Sequence, residues 1–195
     1  MQKCTPVCCF IWYKITPTEV FMNTILKTPR LTLRPMGPGD LETTFAYAGS
    51  PENAQYMLFL PYTSIEETQA ELVRMEAKMQ KKPLRDYFFA IEFRGAHIGE
   101  ISLELGPTMT EAELGWIIHR NYWGNGFMTE AAVTIRDFAF HTLGLKKLYA
   151  HCDSRNVGSY RVMEHIGMAL EATGSRRNRI SGEISAEYKY SLYHS

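Results

Sequence analysis

Between residues 87 and 118 the chain runs through three consecutive stretches of alternating apolar and polar side chains, each separated from the next by a short turn. Residues 87–93 place Phe89, Ile91 and Phe93 on one face. Arg94-Gly95-Ala96 reverses the chain. Residues 97–105 then place Ile101, Leu103 and Leu105 on one face and Glu100, Ser102 and Glu104 on the other. Gly106-Pro107 turns the chain again into residues 112–118. A period of two with turns this short predicts an antiparallel meander. The text after it changes period. Phe127, Ala131, Ile135, Phe138 and Ala139 recur at helical spacing over 125–143, Gly144 suits the residue after the helix, and 148–152 reads as a strand. A strand-helix-strand passage predicts a parallel crossover.

The flanks complete the pattern. Residues 30–36 alternate as a strand, and Gly37-Pro38-Gly39-Asp40 is a turn in which Asp40 can cap a helix through about 48. Ser50-Pro51-Glu52 opens a short segment. Ser64 with Glu67 is a capping box for a helix over 65–81. Residues 155–165 read as a helix ended by Gly167, followed by strands over 168–174 and 184–193. The fold class expected is α/β (α+β): a mixed, mostly antiparallel sheet flanked by helices.

Composition narrows the function. The 195 residues suffice for one domain with its own core, and 45% apolar against 22% charged residues excludes disorder. Lys+Arg and Asp+Glu both number 21, so no basic excess points to nucleic acid or an anionic membrane. The most apolar stretch, residues 7–13, is far short of the roughly 20 residues a spanning helix needs, and no small-residue cleavage site follows it. These features read as a cytoplasmic protein, a monomer or homodimer. Cys4, Cys8 and Cys9 crowd the start without further Cys or His to complete a zinc site, so no metal is expected. Residues 1–21, with Pro6 and Pro17 and no sustained period, read as an extension outside the core, leaving 22–195 as a single domain. The competing reading lets Phe10, Ile11, Trp12 and Tyr13 dock on a partner or add an edge strand.

The segment richest in chemistry is residues 119–130, where a strand runs into Gly124-Asn125-Gly126 and directly into a helix. Backbone N–H groups at a helix start have no helical partner, and the helix dipole adds partial positive charge. Glycines let an anion approach the backbone without a Cβ in the way. This is a cradle suited to a pyrophosphate. By itself Gly-x-Gly is equally the start of an ordinary core helix.

Its context is more specific. Asn121-Tyr122-Trp123-Gly124-Asn125-Gly126 resembles the acetyl-CoA loop of the GNAT superfamily of N-acetyltransferases, in the branch related to ribosomal-protein N-terminal acetyltransferases. Asn121 departs from the usual Gln or Arg. Residues 112–118 resemble that branch's fourth strand, 153–168 its later Asn-containing helix with Met168 in place of Phe, and 28–34 its first strand. The resemblance covers about 28–192. It implies an N-acetyltransferase moving an acetyl group from acetyl-CoA to a primary amine, either a protein N-terminus or a small molecule. The alternative is a GNAT-fold sensor or interaction module that binds acetyl-CoA without catalysis.

The resemblance also implies roles. The amides of Gly124, Asn125 and Gly126, with Met128 and Thr129 beyond, would hold the pyrophosphate. The backbone of Trp116, Ile117 and Ile118 would pair with pantetheine as a strand edge pairs with a peptide. Asn156 would hydrogen-bond the cofactor, although as an N-cap it is equally well explained. An amine nucleophile must lose a proton, and Glu113 is the first candidate to accept it, with Glu100 and Glu104 in reserve. Ser159 matches a serine that protonates the leaving thiolate, whereas Met163 stands where many relatives carry a tyrosine. His119 and His151 read as structural, and Cys152 as an inert buried thiol.

Overall fold

The computed structural model describes residues 21–58, 61–178 and 181–194. Among them, eight strands form one sheet in the order β1-β2-β3-β4-β5-β6-β8-β7. β1 (Leu26–Lys27) and β2 (Leu31–Pro35) lead into the expected meander of β3 (Asp86–Phe93), β4 (Ala96–Leu105) and β5 (Glu111–Ile118). Its registers are antiparallel, with Ile101 opposite Phe89 and Trp116. β6 (Lys147–Asp153) joins β5 in parallel, and β7 (Ala169–Arg177) and β8 (Ile184–Tyr193) complete the sheet antiparallel.

Among the described residues five α-helices cover the sheet: α1 (Leu41–Ala48), α2 (Pro51–Ala54), α3 (Ile65–Met79), α4 (Phe127–Asp137) and α5 (Val157–His165). The alternation read from the sequence sets what lies under each. Ile101, Leu103 and Leu114 are buried in one core with Phe127, Ala131 and Ile135 of α4. On the other face Lys78 of α3 reaches Glu104 at 3.2 Å and Asp86 at 3.6 Å, and Ile117 packs against Tyr47 of α1. The two faces explain why β3 and β4 are buried along most of their length.

Four local expectations need correction. Asp40 does not cap α1 with its side chain. It is buried and accepts from the Arg34 guanidinium at 2.6 and 2.9 Å and from the Gly37 amide at 2.9 Å, because the guanidinium offers a paired carboxylate a better partner than one helix amide. The capping box slips by one residue. Ser64 Oγ accepts from Glu67 N–H, but the Glu67 carboxylate turns back to the Thr63 amide at 2.7 Å. The helix over 125–143 is not uniform: α4 gives way to a π-helical turn, Phe138–Thr142, which sets the Phe138 ring edge-on to Tyr87 and Phe89. Finally, Phe21 belongs to the core rather than to an outlying extension. It is 2% exposed, with its ring edge-on to Tyr87 at 4.8 Å and Phe89 at 5.1 Å. Residues 1–20, with Cys4, Cys8 and Cys9, lie outside the described residues.

Candidate active site

The site originates in one interruption of the sheet. β5 and β6 pair over Glu111↔Lys147, Ala112↔Leu148 and Glu113↔Tyr149. Beyond those pairs residues 114–118 of β5 and His151 and Cys152 of β6 line a single cavity of about 620 Å³. Two neighbouring strands that stop pairing leave unpaired amide and carbonyl groups along the gap, which an extended ligand can take up.

At one end of the gap lies the glycine turn. Gly124 and Gly126 both have φ of 73°, the left-handed region that favours glycine. Gly126 is the N-cap of α4, and the first intrahelical bond runs from Glu130 N–H to the Gly126 carbonyl at 3.0 Å. The amides of Phe127, Met128 and Thr129 therefore precede the helical ladder and stand at its positive end. The turn is braced from a distant part of the chain. Arg30 donates from Nε to Glu130 at 2.6 Å and from its NH1 group to the Asn125 carbonyl at 3.0 Å, and its guanidinium lies 4.5 Å above the Phe127 ring. Thr28 also hydrogen-bonds Glu130 through its hydroxyl. On the inner side, the Trp123 indole donates to the Ile118 carbonyl at 2.9 Å, and the His119 ring accepts from the Asn121 amide.

The cavity wall brings together Glu113, Trp116, Ile117, Ile118, Gly124, Gly126, Met128, Thr129, Asn156 and Ser159. Asn125 stands apart from that wall. Its side-chain amide donates to the Tyr122 and Trp123 carbonyls and so closes the turn from outside. The Asn156 side-chain oxygen accepts from Ser159 N–H at 3.1 Å, which caps α5 and leaves the amide nitrogen as its donor toward a ligand. Ser159 lies in the first turn of that helix. Met163 is fully buried in the core and does not line the cavity. The reserve carboxylates lie elsewhere. Glu104 is tied to Lys78, and Glu100, opposite Ile117, has its carboxyl pushed up to about 8 by burial and by nearby Glu71 and Glu104.

The wall also holds residues to which the sequence reading gave no part in the chemistry: His151, read as structural, Cys152, read as inert, and Asn53 and Tyr56, not singled out. His151 joins the wall from β6, with Nδ1 at 2.9 Å from Glu113 Oε1. Cys152 follows it, its thiol pushed up to about 11 by burial, which fits the inert role expected of it. Asn53 and Tyr56 approach from the other face, Asn53 accepting from the Arg120 amide at 2.7 Å. Among the described residues no group of three or more His, Cys, Asp or Glu side chains gathers to hold a metal ion, and no helix is long and apolar enough to cross a membrane.

A strand edge that opens beside an anion-binding helix start defines a protein suited to an extended ligand that carries phosphate. Residues 30–169 match the family model described as the Acetyltransferase (GNAT) domain. The chain belongs to this acetyltransferase family and is an N-acetyltransferase that transfers an acetyl group to an amine. It is 26% identical over 172 residues to the uncharacterized N-acetyltransferase p20 of Bacillus licheniformis, covering 86% of this chain and 94% of that one. Two solved structures share the fold. RimL, a ribosomal L7/L12 alpha-N-protein acetyltransferase in complex with coenzyme A, aligns with a TM-score of 0.77 at 16% identity, over 87% of this chain and 98% of the other. Spermidine N-acetyltransferase from Vibrio cholerae, in complex with CoA and spermine, aligns with a TM-score of 0.73 at 23% identity, over 84% and 95%.

Proposed function

We propose that the enzyme binds acetyl-CoA in the cleft between β5 and β6 and acetylates an α-amine, such as a protein N-terminus. The observation that carries this reading is the continuity of the cleft: one cavity joins the unpaired edge of β5 to the amides at the start of α4. The amides of residues 124–129 would hold the pyrophosphate, the backbone of Trp116, Ile117 and Ile118 the pantetheine, and Asn156 a polar group of the same arm. Glu113 from β5 and Ser159 from α5 both line the cavity. Glu113 would serve removal of the amine proton, directly or through a neighbouring group, and Ser159 the leaving sulfur.

Amine basicity favours an α-amine over a polyamine. An α-amine, with a pKa near 7.7, is more readily deprotonated than an alkyl amine near 10.4.

Calorimetric titration of acetyl-CoA into Gly126→Glu tests the cleft. A side chain at φ of 73° is strained, and a carboxylate there repels phosphate. We expect binding to weaken by at least 100-fold with little change in thermal unfolding. Wild-type affinity in this variant would remove the assignment. The acceptor class is read separately, by comparing turnover on short peptides with free N-termini against spermidine.

A further inference from the structure

His151 lies two residues beyond the last β5–β6 pair, Glu113↔Tyr149, on the side of the sheet that Glu113 shares. The next residue of β5 on that side is Gly115, which has no side chain, so the cavity reaches the imidazole. The ring is held at two points. Its Nδ1 is 2.9 Å from Glu113 Oε1, and it meets the Tyr149 ring edge-on at 5.7 Å. When the neutral imidazole donates from Nδ1 to a carboxylate, its lone pair is on Nε2. A strand histidine with a structural role would bury that nitrogen or give it a protein partner, whereas among the described residues this ring's hydrogen bond to protein is the one through Nδ1.

The geometry points to His151 Nε2 as the acceptor of the amine proton, with Glu113 orienting the imidazole rather than acting as the base itself. This assignment rests on the acetyl-CoA cleft described above. The amine nitrogen forms its bond to the thioester carbonyl carbon, and the C–S bond breaks with its electron pair leaving on sulfur. The proton lost by nitrogen passes to Nε2, and the imidazolium releases it to the departing thiolate or to solvent. Atoms and charge balance without another reactant. Chemically, an imidazole is a better match than a carboxylate. An ordinary Glu near 4.3 is a weak base toward an amine, and a base works best with a pKa near the operating pH.

The charged groups around the ring fix the sign of the pH dependence. Glu113 faces it from β5, and Glu187 and Lys189 face it from β8. Lys189 is paired with Glu171 at 3.0 Å and Glu187 with Arg176 at 3.7 Å, which leaves Glu113 dominant. Its hydrogen bond raises the imidazole pKa above the ordinary value, against the opposing effect of burial. The base form therefore exists above that raised pKa, and removing the Glu113 charge lowers it.

Steady-state kinetics across pH on the full chain, with calorimetric acetyl-CoA binding alongside, decide the assignment. We expect His151→Gln to lose about 100-fold or more in kcat with acetyl-CoA affinity unchanged. We expect Glu113→Gln to retain measurable turnover, with the acidic limb of its profile moved to lower pH. That second variant keeps the test open should His151→Gln fail to fold. Turnover by His151→Gln within threefold of wild type overturns the assignment alone, as does a Glu113→Gln enzyme with no turnover at any pH. Failure of the wild-type protein to bind acetyl-CoA would overturn the cleft reading and this assignment with it.

Discussion

At the scale of single residues, partners on neighbouring elements decided what the local text left open. Asp40 is legible as an acid at the start of a helix, and local rules assign it to the helix amides. Its role instead follows from Arg34, which the β2 strand points at the same spot, and from Glu92 on β3, which accepts from Arg34 Nε at 2.8 Å. Burial works to raise the Asp40 carboxyl, but the Arg34 guanidinium and the Gly37 amide outweigh it and hold it below its ordinary 3.8. A depressed acid stabilises the fold above its unfolded pKa and loses that contribution as pH falls toward its folded pKa. Asp40→Asn should therefore cost about 3 kcal/mol at neutral pH, where it leaves a partly buried guanidinium underpaired. The difference from wild type should shrink as pH drops below about 4. Urea unfolding of both proteins between pH 3 and 7 measures it, and a pH-independent difference would refute the ion-pair account. The same logic hid His151. Nothing in its neighbourhood of sequence names Glu113 as its partner, 38 residues away.

At the scale of elements, the sequence was most informative where structure is local. The meander, the crossover helix and the glycine turn each follow from spacing, turn residues or the freedom of glycine at positive φ, and each lies within two or three residues of its expected bounds, the crossover helix only when its π-helical end is counted with α4. Helix ends were less legible, because competing donors a residue apart differ little in energy, as Thr63 and Ser64 show at the start of α3. The brace on the glycine turn was not legible at all. Arg30 and Glu130 are 100 residues apart, and Thr28-Pro29-Arg30 reads only as the entry to a strand. Yet this pair positions the cradle. Glu130 sits in the first turn of α4, and Arg30 ties both it and the Asn125 carbonyl to the start of β2. Arg30→Ala should let the turn sample other conformations. The pair is partly exposed, so the loss should be about 1 kcal/mol, seen as three- to tenfold weaker calorimetric binding of CoA with the melting temperature lowered by only a few degrees. Unchanged affinity would mean that the glycines hold their conformation unaided.

At the scale of the whole molecule, the cleft is a consequence of topology. An antiparallel meander meets a parallel crossover strand at β5, and the two strands share only the pairs from Glu111 to Glu113 before both turn to the cavity. The sequence shows that the change of direction occurs, but no local pattern encodes how far the two strands pair. The boundary of the folded unit is of the same kind. Phe21 precedes the first strand and carries no periodic signal, and composition alone groups it with the residues before it. In the fold it fills space between Tyr87, Phe89 and their neighbours, with Phe138 touching the same two rings from α4's end. Four aromatic rings joined by these four edge-on contacts gain from both burial and their quadrupoles. Phe21→Ala should leave a void that these large rings cannot close, at a cost of about 3–5 kcal/mol. For a chain of this size that corresponds to a melting temperature about 10 °C lower. Phe21→Leu, which keeps most of the volume, should recover more than half of the loss. The comparison separates core packing from a general effect of altering the chain near its start. If Phe21→Ala melts within about 2 °C of wild type, the folded unit begins after it.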